Sequence, residues 1–254
     1  MQVHPDDAYA RDHEPGSIGK CEMWYMIDPK PGAEFLLSLR EGVTKEMLLP
    51  ALLEGRSPDL LRRFRPSPGE AIFVPPGTIH ALGPDLVLFE AEENSDVTYR
   101  LDDFRRRGLD GKPRPLHHEK GIEVIQPGLP AYRDLPCLDV REHYGTRRFV
   151  VASRFFAVEE LHLQRIASFA GAPERVEALC IISGEGRVET AAGWHAYRVG
   201  DSWLIPPAGS TYRLVPEPES RILKFYVPNL DQDFRRPLFE GGLKSEEIDR
   251  VVFA

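Results

Sequence analysis

The chain has 254 residues, of which 42% are hydrophobic and 28% are charged, and its formal net charge is -8. The negative charge disfavours nucleic acid as a partner, and the absence of a long apolar run or a basic, then apolar N-terminus argues against a membrane span or secretion. Three cysteines, odd in number and widely spread, favour a reducing compartment, so we expect a cytoplasmic protein.

The first motif along the chain is QVHPDD, at residues 2–7, in which Gln2 and His4 lie two positions apart. Residues two apart on an extended strand point to the same face of that strand. The segment GKCEMWYMID places Lys20 and Glu22 at the same spacing, at the start of a predicted strand. Within each pair, the two side chains are therefore expected to point to the same face of the strand.

Short apolar stretches separated by 23 prolines and 21 glycines predict many strands joined by turns. The strands predicted in the first half are 22–28, 33–39, 70–76 and 86–94. Those predicted in the second half are 155–163, 177–183, 186–190, 195–200, 201–207, 211–215 and 221–227. Helical patterns are few and short, at 43–55, 117–125 and 245–253.

A partial repeat connects the two halves of the chain. GEAIFVPPGTIHAL (69–82) and GDSWLIPPAGSTYRL (200–214) both contain a glycine, an acid, an apolar strand, a Pro-Pro pair, a glycine and a second strand. The pattern predicts two related all-β domains with a junction near residues 108–136. The first corner ends in His80 and the second in Tyr212, so the second domain is expected to lack metal ligands.

The spacing G-x5-P-x-G-x2-H at residues 69–80 resembles the second half of a cupin signature, in which a tight turn aims a histidine into the mouth of a barrel. The resemblance implies two cupin-type jelly-roll domains with a few short helices. Residues 1–110 are expected to form a metal-binding catalytic domain, 111–136 a linker with a short helix, and 137–254 a second cupin-like domain that ends in a short helix.

The candidate metal ligands are two imidazoles, a carboxylate and an amide oxygen, from Gln2, His4, Glu22 and His80. This mixed nitrogen and oxygen set suits zinc or another divalent first-row ion, and it leaves room for water or substrate as a catalytic site requires. Taken alone, His80 fits a satisfied core or surface histidine better than a ligand, and Glu22 fits a solvated strand residue equally well.

Four motifs in order, QVHPDD, GKCEMWY, VPPGTIHALG and EAEENSDVTYRLDDF, resemble the type I mannose-6-phosphate isomerase family in its short bacterial form. The resemblance implies interconversion of mannose 6-phosphate and fructose 6-phosphate through an enediol. It also implies one Zn²⁺ per chain on the four ligands named above, with other divalent metals left open. The implied catalytic residues are Glu90, as the first candidate for proton transfer, Lys20 and Arg100.

Structural readings of these residues stay open at this point. Glu90 also fits a salt-bridged strand residue, Lys20 a surface lysine, and Arg100 an ion pair with a nearby aspartate. Arg106 has the best register for phosphate within the basic run 105–107, although most of that run fits a solvated surface. The adjacent histidines at 117 and 118 fit surface or capping roles better than ligand roles.

The sequence departs from the family at its N-terminus. Family members usually carry a segment before QVHPDD, with a phosphate-binding serine two residues before the glutamine, and here that position precedes Met1. Missing edge strands would expose apolar surface that a homodimer covers. The alternative functions are a non-catalytic bicupin that binds a sugar or sugar phosphate, and a metal-dependent dioxygenase, which would require iron and a second histidine near His4.

Overall fold

The computed structural model describes residues 1–171, 174–207 and 211–253. The chain divides into two compact units, the first unit (Met1–Asp134) and the second unit (Leu135–Ala254). The functional division into 1–110, 111–136 and 137–254 stays a prediction. Part of the second predicted Pro-Pro corner, residues 208–210, lies outside the described residues.

The strands of the first unit are short and pair in antiparallel fashion. They are β1 (Gln2–Val3), β2 (Glu22–Met26), β3 (Phe35–Leu39), β4 (Leu61–Phe64), β5 (Ala71–Val74), β6 (His80–Leu82), β7 (Leu88–Glu92) and β8 (Tyr99–Arg100). One sheet has the order β4-β3-β6-β1-β8 and the other the order β5-β2-β7. Apolar side chains of both sheets, such as Trp24, Ile72, Phe35 and Leu37, form one buried cluster. The first unit is therefore a two-layered β structure with its core between the sheets.

Helices in the first unit are α1 (Asp7–His13), α2 (Leu48–Leu53) and α3 (His118–Val124). Helix α1 was not predicted, although Asp6 caps it by accepting a hydrogen bond of 2.8 Å from the Tyr9 amide. The predicted helix 43–55 is split into a 3-10 turn, Lys45–Met47, and α2. Pro50 is tolerated because it lies in the first turn of α2, where its missing N–H is not needed.

The second unit contains longer strands and two short helices near its end. The strands are β9 (Leu138–Glu142), β10 (Gly145–Ser153), β11 (Ala157–Leu163), β12 (Ala167–Ala170), β13 (Glu177–Thr190), β14 (Gly193–Arg198), β15 (Ser202–Ile205), β16 (Thr211–Tyr226) and β17 (Val252–Phe253). A π-helical segment, Leu230–Arg235, precedes α4 (Arg236–Glu240) and α5 (Ser245–Ile248). The predicted helix 245–253 is thus shorter and ends before β17.

The central pair of the second unit, β13 with β16, explains a difference from the predicted elements. Each of these strands was predicted as two, because Gly184 interrupts one pattern and prolines 216 and 218 interrupt the other. Gly184 adopts a left-handed conformation, φ +81°, next to a register shift in β13. The strand bends there and continues, as β-bulges allow. Its first half pairs with β15 and its second half with β14.

The all-β prediction with a few short helices is confirmed, since the described strands form antiparallel sheets apart from the short parallel pair β10–β17. Among the described residues, none of the helices has the length and apolar character that crossing a membrane requires.

Candidate metal centre

The four predicted metal ligands lie on neighbouring strands of the first unit. Gln2 of β1 is the register partner of His80, the first residue of β6, and His4 follows β1 directly. Glu22 is the first residue of β2, on the other sheet, and every residue of β2 is buried. Because the two sheets face one another, residues separated by almost eighty positions meet in the interior.

The Glu22 carboxylate lies between the two imidazoles. His80 Nε2 is 3.1 Å from Glu22 Oε1, and His4 Nε2 is 3.4 Å from Glu22 Oε2. One nitrogen or oxygen atom from each of the three residues lies within 4.8 Å of the others, and all three residues are buried. This spacing matches a set of ligands that converge on one cation.

Backbone carbonyl groups fix the protonation of both imidazoles. His4 Nδ1–H donates to the Val97 carbonyl and His80 Nδ1–H to the Thr78 carbonyl, each at 2.9 Å. A carbonyl oxygen only accepts hydrogen bonds, so in the neutral rings each proton lies on Nδ1 and the Nε2 lone pair points toward Glu22. Metal-binding histidines are commonly oriented by such partners. Burial lowers the pKa of His80 to about 4, which keeps this ring neutral near pH 7.

Several polar atoms in this cluster are left without hydrogen bonds. Both carboxylate oxygens of Glu22 and Nε2 of His80 are buried and have no hydrogen-bond partner among the described residues. A buried carboxylate without donors is strongly unfavourable, and a cation bound between these atoms would remove the penalty. The residues therefore fit a divalent ion, with two nitrogen ligands and a carboxylate.

Gln2 completes the predicted set less directly. Its side-chain amide nitrogen is 3.5 Å from His4 Nε2. A half-turn about the last side-chain bond exchanges the amide oxygen and nitrogen, and the two orientations are distinguished by their hydrogen bonds alone. The exchange would bring the amide oxygen, an acceptable ligand, to the position that the nitrogen holds.

Lys20 and two further glutamates extend the cluster. Lys20 Nζ is 2.6 Å from Glu92 Oε2 and 3.9 Å from Glu22 Oε2. Glu90 accepts a hydrogen bond of 2.8 Å from Trp24 Nε1. One carboxylate oxygen from each of the three glutamates lies within 4.8 Å of the others. With one lysine against three carboxylates, this end of the cluster carries an excess of negative charge.

A cavity of about 790 Å³ in the first unit adjoins the cluster and is large enough for a small ligand. The residues that line it include Gln2, Trp24, His80 and Glu90, together with the charged residues Arg63, Glu34 and Arg106. Glu90 is exposed on the cavity wall, yet partial burial of its carboxyl, and then the charge of Glu22, raise its pKa. A raised pKa suits a carboxyl group that exchanges a proton near neutral pH.

Arg100 is not among the residues that line this cavity. Its Nη1 donates to the Pro115 carbonyl at 3.2 Å, and its Nε lies 4.0 Å from Asp103 Oδ1. His117 accepts from the Arg100 amide through Nδ1 at 3.0 Å, and His118 Nε2 donates to the Leu101 carbonyl at 3.0 Å. Both histidines thus bond to backbone groups in or directly after β8 and stand apart from the metal cluster.

Similar proteins share this arrangement of strands and sequence. ManA, the mannose-6-phosphate isomerase of Bacillus subtilis, is 35% identical over 215 residues, covering 84% of this chain and 67% of ManA. The chain belongs to the mannose-6-phosphate isomerase family. The mannose-6-phosphate isomerase of Streptococcus mutans is 34% identical over 207 residues, covering 81% of this chain and 64% of that protein. The chain thus spans about two thirds of the length of these curated relatives. No family model matches the sequence.

Solved structures agree with this assignment. The crystal structure of mannose 6-phosphate isomerase from Bacillus subtilis superposes with a TM-score of 0.79 at 28% identity, covering 89% of this chain and 70% of that one. A mannosephosphate isomerase structure from Archaeoglobus fulgidus, at 19% identity and a TM-score of 0.68, supports the fold alone. The predicted cupin fold and the predicted enzyme family are confirmed.

Sequence reasoning missed three contributors to the site of this family member. Glu92 holds Lys20, and the carbonyl groups of Thr78 and Val97 orient the two histidines. Glu92 carried a usable signal, because it lies two positions from Glu90 on a predicted strand and hence on the same face. The two carbonyl groups carried none, since any residue type supplies one.

Proposed function

We propose that this protein is a zinc-dependent aldose–ketose isomerase that interconverts mannose 6-phosphate and fructose 6-phosphate by proton transfer through an enediol intermediate. The observation that carries the proposal is the buried His4–Glu22–His80 cluster, in which His80 also lines a cavity of about 790 Å³. Membership of the isomerase family supports the substrate class.

The metal ligands in this proposal are Gln2, His4, Glu22 and His80. A divalent ion bound there would supply Lewis-acid polarisation of the sugar carbonyl and would stabilise negative charge that develops on oxygen. Both imidazoles bond to a backbone carbonyl through Nδ1, which leaves Nε2 of each ring to face the ion. Zinc is the ion we expect, because it accepts a mixed set of two imidazole nitrogens, a carboxylate and an amide oxygen.

Glu90 is the group we expect to move the proton between C1 and C2 of the sugar. It lies on the cavity wall, its carboxyl group is fixed by the Trp24 indole N–H at 2.8 Å, and its pKa is raised. Lys20, held by Glu92, does not line the cavity, but its ammonium group lies 3.9 Å from Glu22, and we assign it an electrostatic role beside the metal cluster. Proton transfer on one face of a planar enediol needs one such fixed base.

The phosphate group requires a cation at the cavity. Arg106 lines the cavity and contacts Asp103 with its Nη2 at 2.9 Å, and its side chain is largely exposed. Arg100 shares the same aspartate but does not line the cavity. We therefore assign phosphate binding to Arg106 and a supporting electrostatic role to Arg100. A guanidinium binds phosphate through two parallel hydrogen bonds.

The test is an assay of fructose 6-phosphate formed from mannose 6-phosphate, together with elemental analysis of the same purified sample. We expect turnover and one divalent ion per chain, with both lost in His80→Ala. Sugar-phosphate binding without turnover in metal-loaded protein would overturn the isomerase and favour the non-catalytic bicupin. Iron in place of zinc, without isomerisation, would favour the dioxygenase class.

A further inference from the structure

The two units repeat one arrangement around a buried glutamate. In the first unit Glu22, at the start of β2, pairs in register with Val74, the last residue of β5. In the second unit Glu177, at the start of β13, pairs in register with Ile205, the last residue of β15. Both strand ends are followed directly by a Pro-Pro pair. Glu177 is therefore the structural counterpart of Glu22.

The next group along each repeat also contacts its glutamate. His80 Nε2 lies 3.1 Å from Glu22 Oε1, and the Tyr212 hydroxyl donates to Glu177 Oε2 at 3.1 Å. Tyr212 follows the second Pro-Pro pair as His80 follows the first. Tyr212 is a hydrogen-bond donor where the first unit has a metal ligand.

The basic residue beside each glutamate is repeated as well. Lys20 and Arg175 both lie two positions before their glutamates. The distance from Lys20 Nζ to Glu22 Oε2 is 3.9 Å, and that from Arg175 Nη2 to Glu177 Oε1 is 3.2 Å. The correspondence thus covers a carboxylate, the group opposite it and the cation next to it.

The remaining ligand positions differ in chemistry. Gln2 is the register partner of His80, and Phe169 of β12 is the register partner of Tyr212. Two positions further along, His4 corresponds to Gly171. Neither phenylalanine nor glycine has a side chain that can bind a metal. The carboxylate is therefore the part of the metal-ligand set that the second unit keeps.

Charge is reversed at one further position. Across β2, Glu90 pairs with Trp24, two residues after Glu22. Across β13, Lys224 pairs with Leu179, two residues after Glu177. Lys224 therefore stands where the first unit has Glu90. Its Nζ is 2.9 Å from Glu177 Oε1, and the residue is 7% exposed.

We propose that the second unit contains the counterpart of the metal centre, in which the Lys224 ammonium group supplies the positive charge that a divalent ion supplies in the first unit. The inference rests on the proposed metal site only for that comparison. It predicts that the chain binds one divalent ion and not two, and that the second unit keeps its structure without metal.

The hydrogen bonds of the two glutamates support this assignment. Glu177 Oε1 accepts from Lys224 and from Arg175, and its Oε2 accepts from Tyr212. Within the part of the chain that the structure describes, the oxygens of Glu22 accept no hydrogen bond. A buried carboxylate is tolerated when charged and polar donors surround it, so Glu177 needs no further cation.

Neighbouring charges balance one another around this glutamate. Glu159, the register partner of Lys224, is held by Arg147 through two contacts of 2.7 Å, and Asp233 is held by Arg175. Three carboxylates thus face three cations, in a cluster formed by Glu159, Glu177, Asp233, Arg147, Arg175 and Lys224.

The first experiment is a double-mutant cycle on unfolding, measured by denaturant titration of the full chain. Lys224→Met leaves Glu177 short of a cation, so we expect the folded-to-unfolded ratio of the second unit to fall by about 100-fold or more. Lys224→Met with Glu177→Gln removes both charges and should recover about 10-fold relative to additivity. The control is Lys244→Met at an exposed lysine of the same unit, for which we expect less than about 3-fold. Additive effects in the cycle would overturn the proposal.

The second experiment uses Lys224→Ala, which leaves space beside Glu177, and adds n-propylammonium chloride as a replacement cation. We expect a saturable rise in the unfolding midpoint of the variant that n-propanol and sodium chloride at equal ionic strength do not produce. An equal rise with n-propanol would show that Lys224 acts by filling space, and either this result or the absence of any rise would overturn the proposal.

Elemental analysis of the wild-type protein separates this inference from the proposed function. One divalent ion per chain agrees with both. If the protein contains no metal even after zinc is supplied, the proposed metal centre of the first unit is rejected. The rescue by propylammonium still tests the role of Lys224 in that case. Two ions per chain, one of them retained in His80→Ala, would overturn the inference and leave the isomerase proposal standing.

Discussion

Two buried carboxylates, Glu22 and Glu177, occupy matching places in the two units and face opposite surroundings. Around Glu22 the nearest groups are imidazole nitrogens whose lone pairs point at it. Around Glu177 they are an ammonium, a guanidinium and a hydroxyl, all of which donate. The same position in the same fold thus carries a carboxylate that faces candidate metal ligands in one unit and hydrogen-bond donors in the other.

The difference shows where function and stability separate in this protein. A buried polar group that lacks a partner costs free energy, and it persists where a bound ligand satisfies it. Glu22 is such a group, whereas Glu177 accepts hydrogen bonds from side chains of its own unit. The following experiments are designed to break or sharpen this contrast, beginning with the largest expected effect.

Removing a ligand should abolish the activity of the first unit. We expect His80→Ala to lower turnover by about 1,000-fold or more, because the metal is lost and with it the stabilisation of charge in the transition state. The measurement is fructose 6-phosphate formation with metal content. His162→Ala, at a half-exposed histidine of the second unit, is the control and should change neither. Full metal content in His80→Ala would contradict the assignment.

Breaking the internal network should damage the second unit instead. Glu159→Gln removes one partner of the buried pair with Arg147, so we expect a loss of about 3–5 kcal/mol in the free energy of unfolding. Denaturant unfolding provides the measurement. Glu240→Gln removes one partner of the exposed pair with Arg236 and should cost less than about 1 kcal/mol. Equal losses in both variants would show that burial does not separate the two pairs.

Chelation should affect only the unit that lacks internal partners. We expect removal of the metal to destabilise the first unit by about 2.7 kcal/mol when the free metal had been at 100 times its dissociation constant. Hydrogen exchange of amides in β2 and β6 should rise, while amides in β13 and β16 stay unchanged. Faster exchange in β13 after chelation would mean that the second unit also depends on metal.

Glu92 should affect turnover because it positions Lys20, and it should not affect metal binding. Glu92→Gln weakens the 2.6 Å ion pair, so we expect turnover to fall by about 10-fold, equivalent to about 1.4 kcal/mol, with metal content unchanged. Glu41→Gln, at an exposed loop residue of the same unit, is the matched control. A loss of metal in Glu92→Gln would place this residue among the ligands and reject the positioning role.

Acid titration gives the smallest expected effect. Hydrogen bonds from Arg114 and then from Arg106 lower the pKa of Asp103 to about 2, from its ordinary 3.8. A lowered folded-state pKa stabilises the protein above pH 3.8, and this contribution is lost as the pH falls toward 2. Asp103→Asn should therefore flatten the stability curve of the first unit between pH 4 and 2. An unchanged slope would show that the ion pairs contribute nothing.

Part of the candidate site followed from the sequence because its residues lie in local patterns. The pairs Gln2–His4 and Lys20–Glu22 are two apart on strands, and His80 ends a Pro- and Gly-defined corner. Local spacing fixes the direction of each side chain on its own strand. Glu90 was predicted from the family resemblance, and its strand position lies beside the cluster.

Other features depend on contacts between distant segments. No pattern distinguishes Arg106 from Arg100 at the cavity, since their difference comes from the loop that follows β8. Lys224 was not predicted at all, because its partner Glu177 lies almost fifty positions away on another strand. The sequence by itself determined the all-β class and the repeat of the Pro-Pro corner, and it predicted the types of the candidate ligands. Only the tertiary structure decided which charges meet, because the pairing register across strands sets which side chains share an interior position.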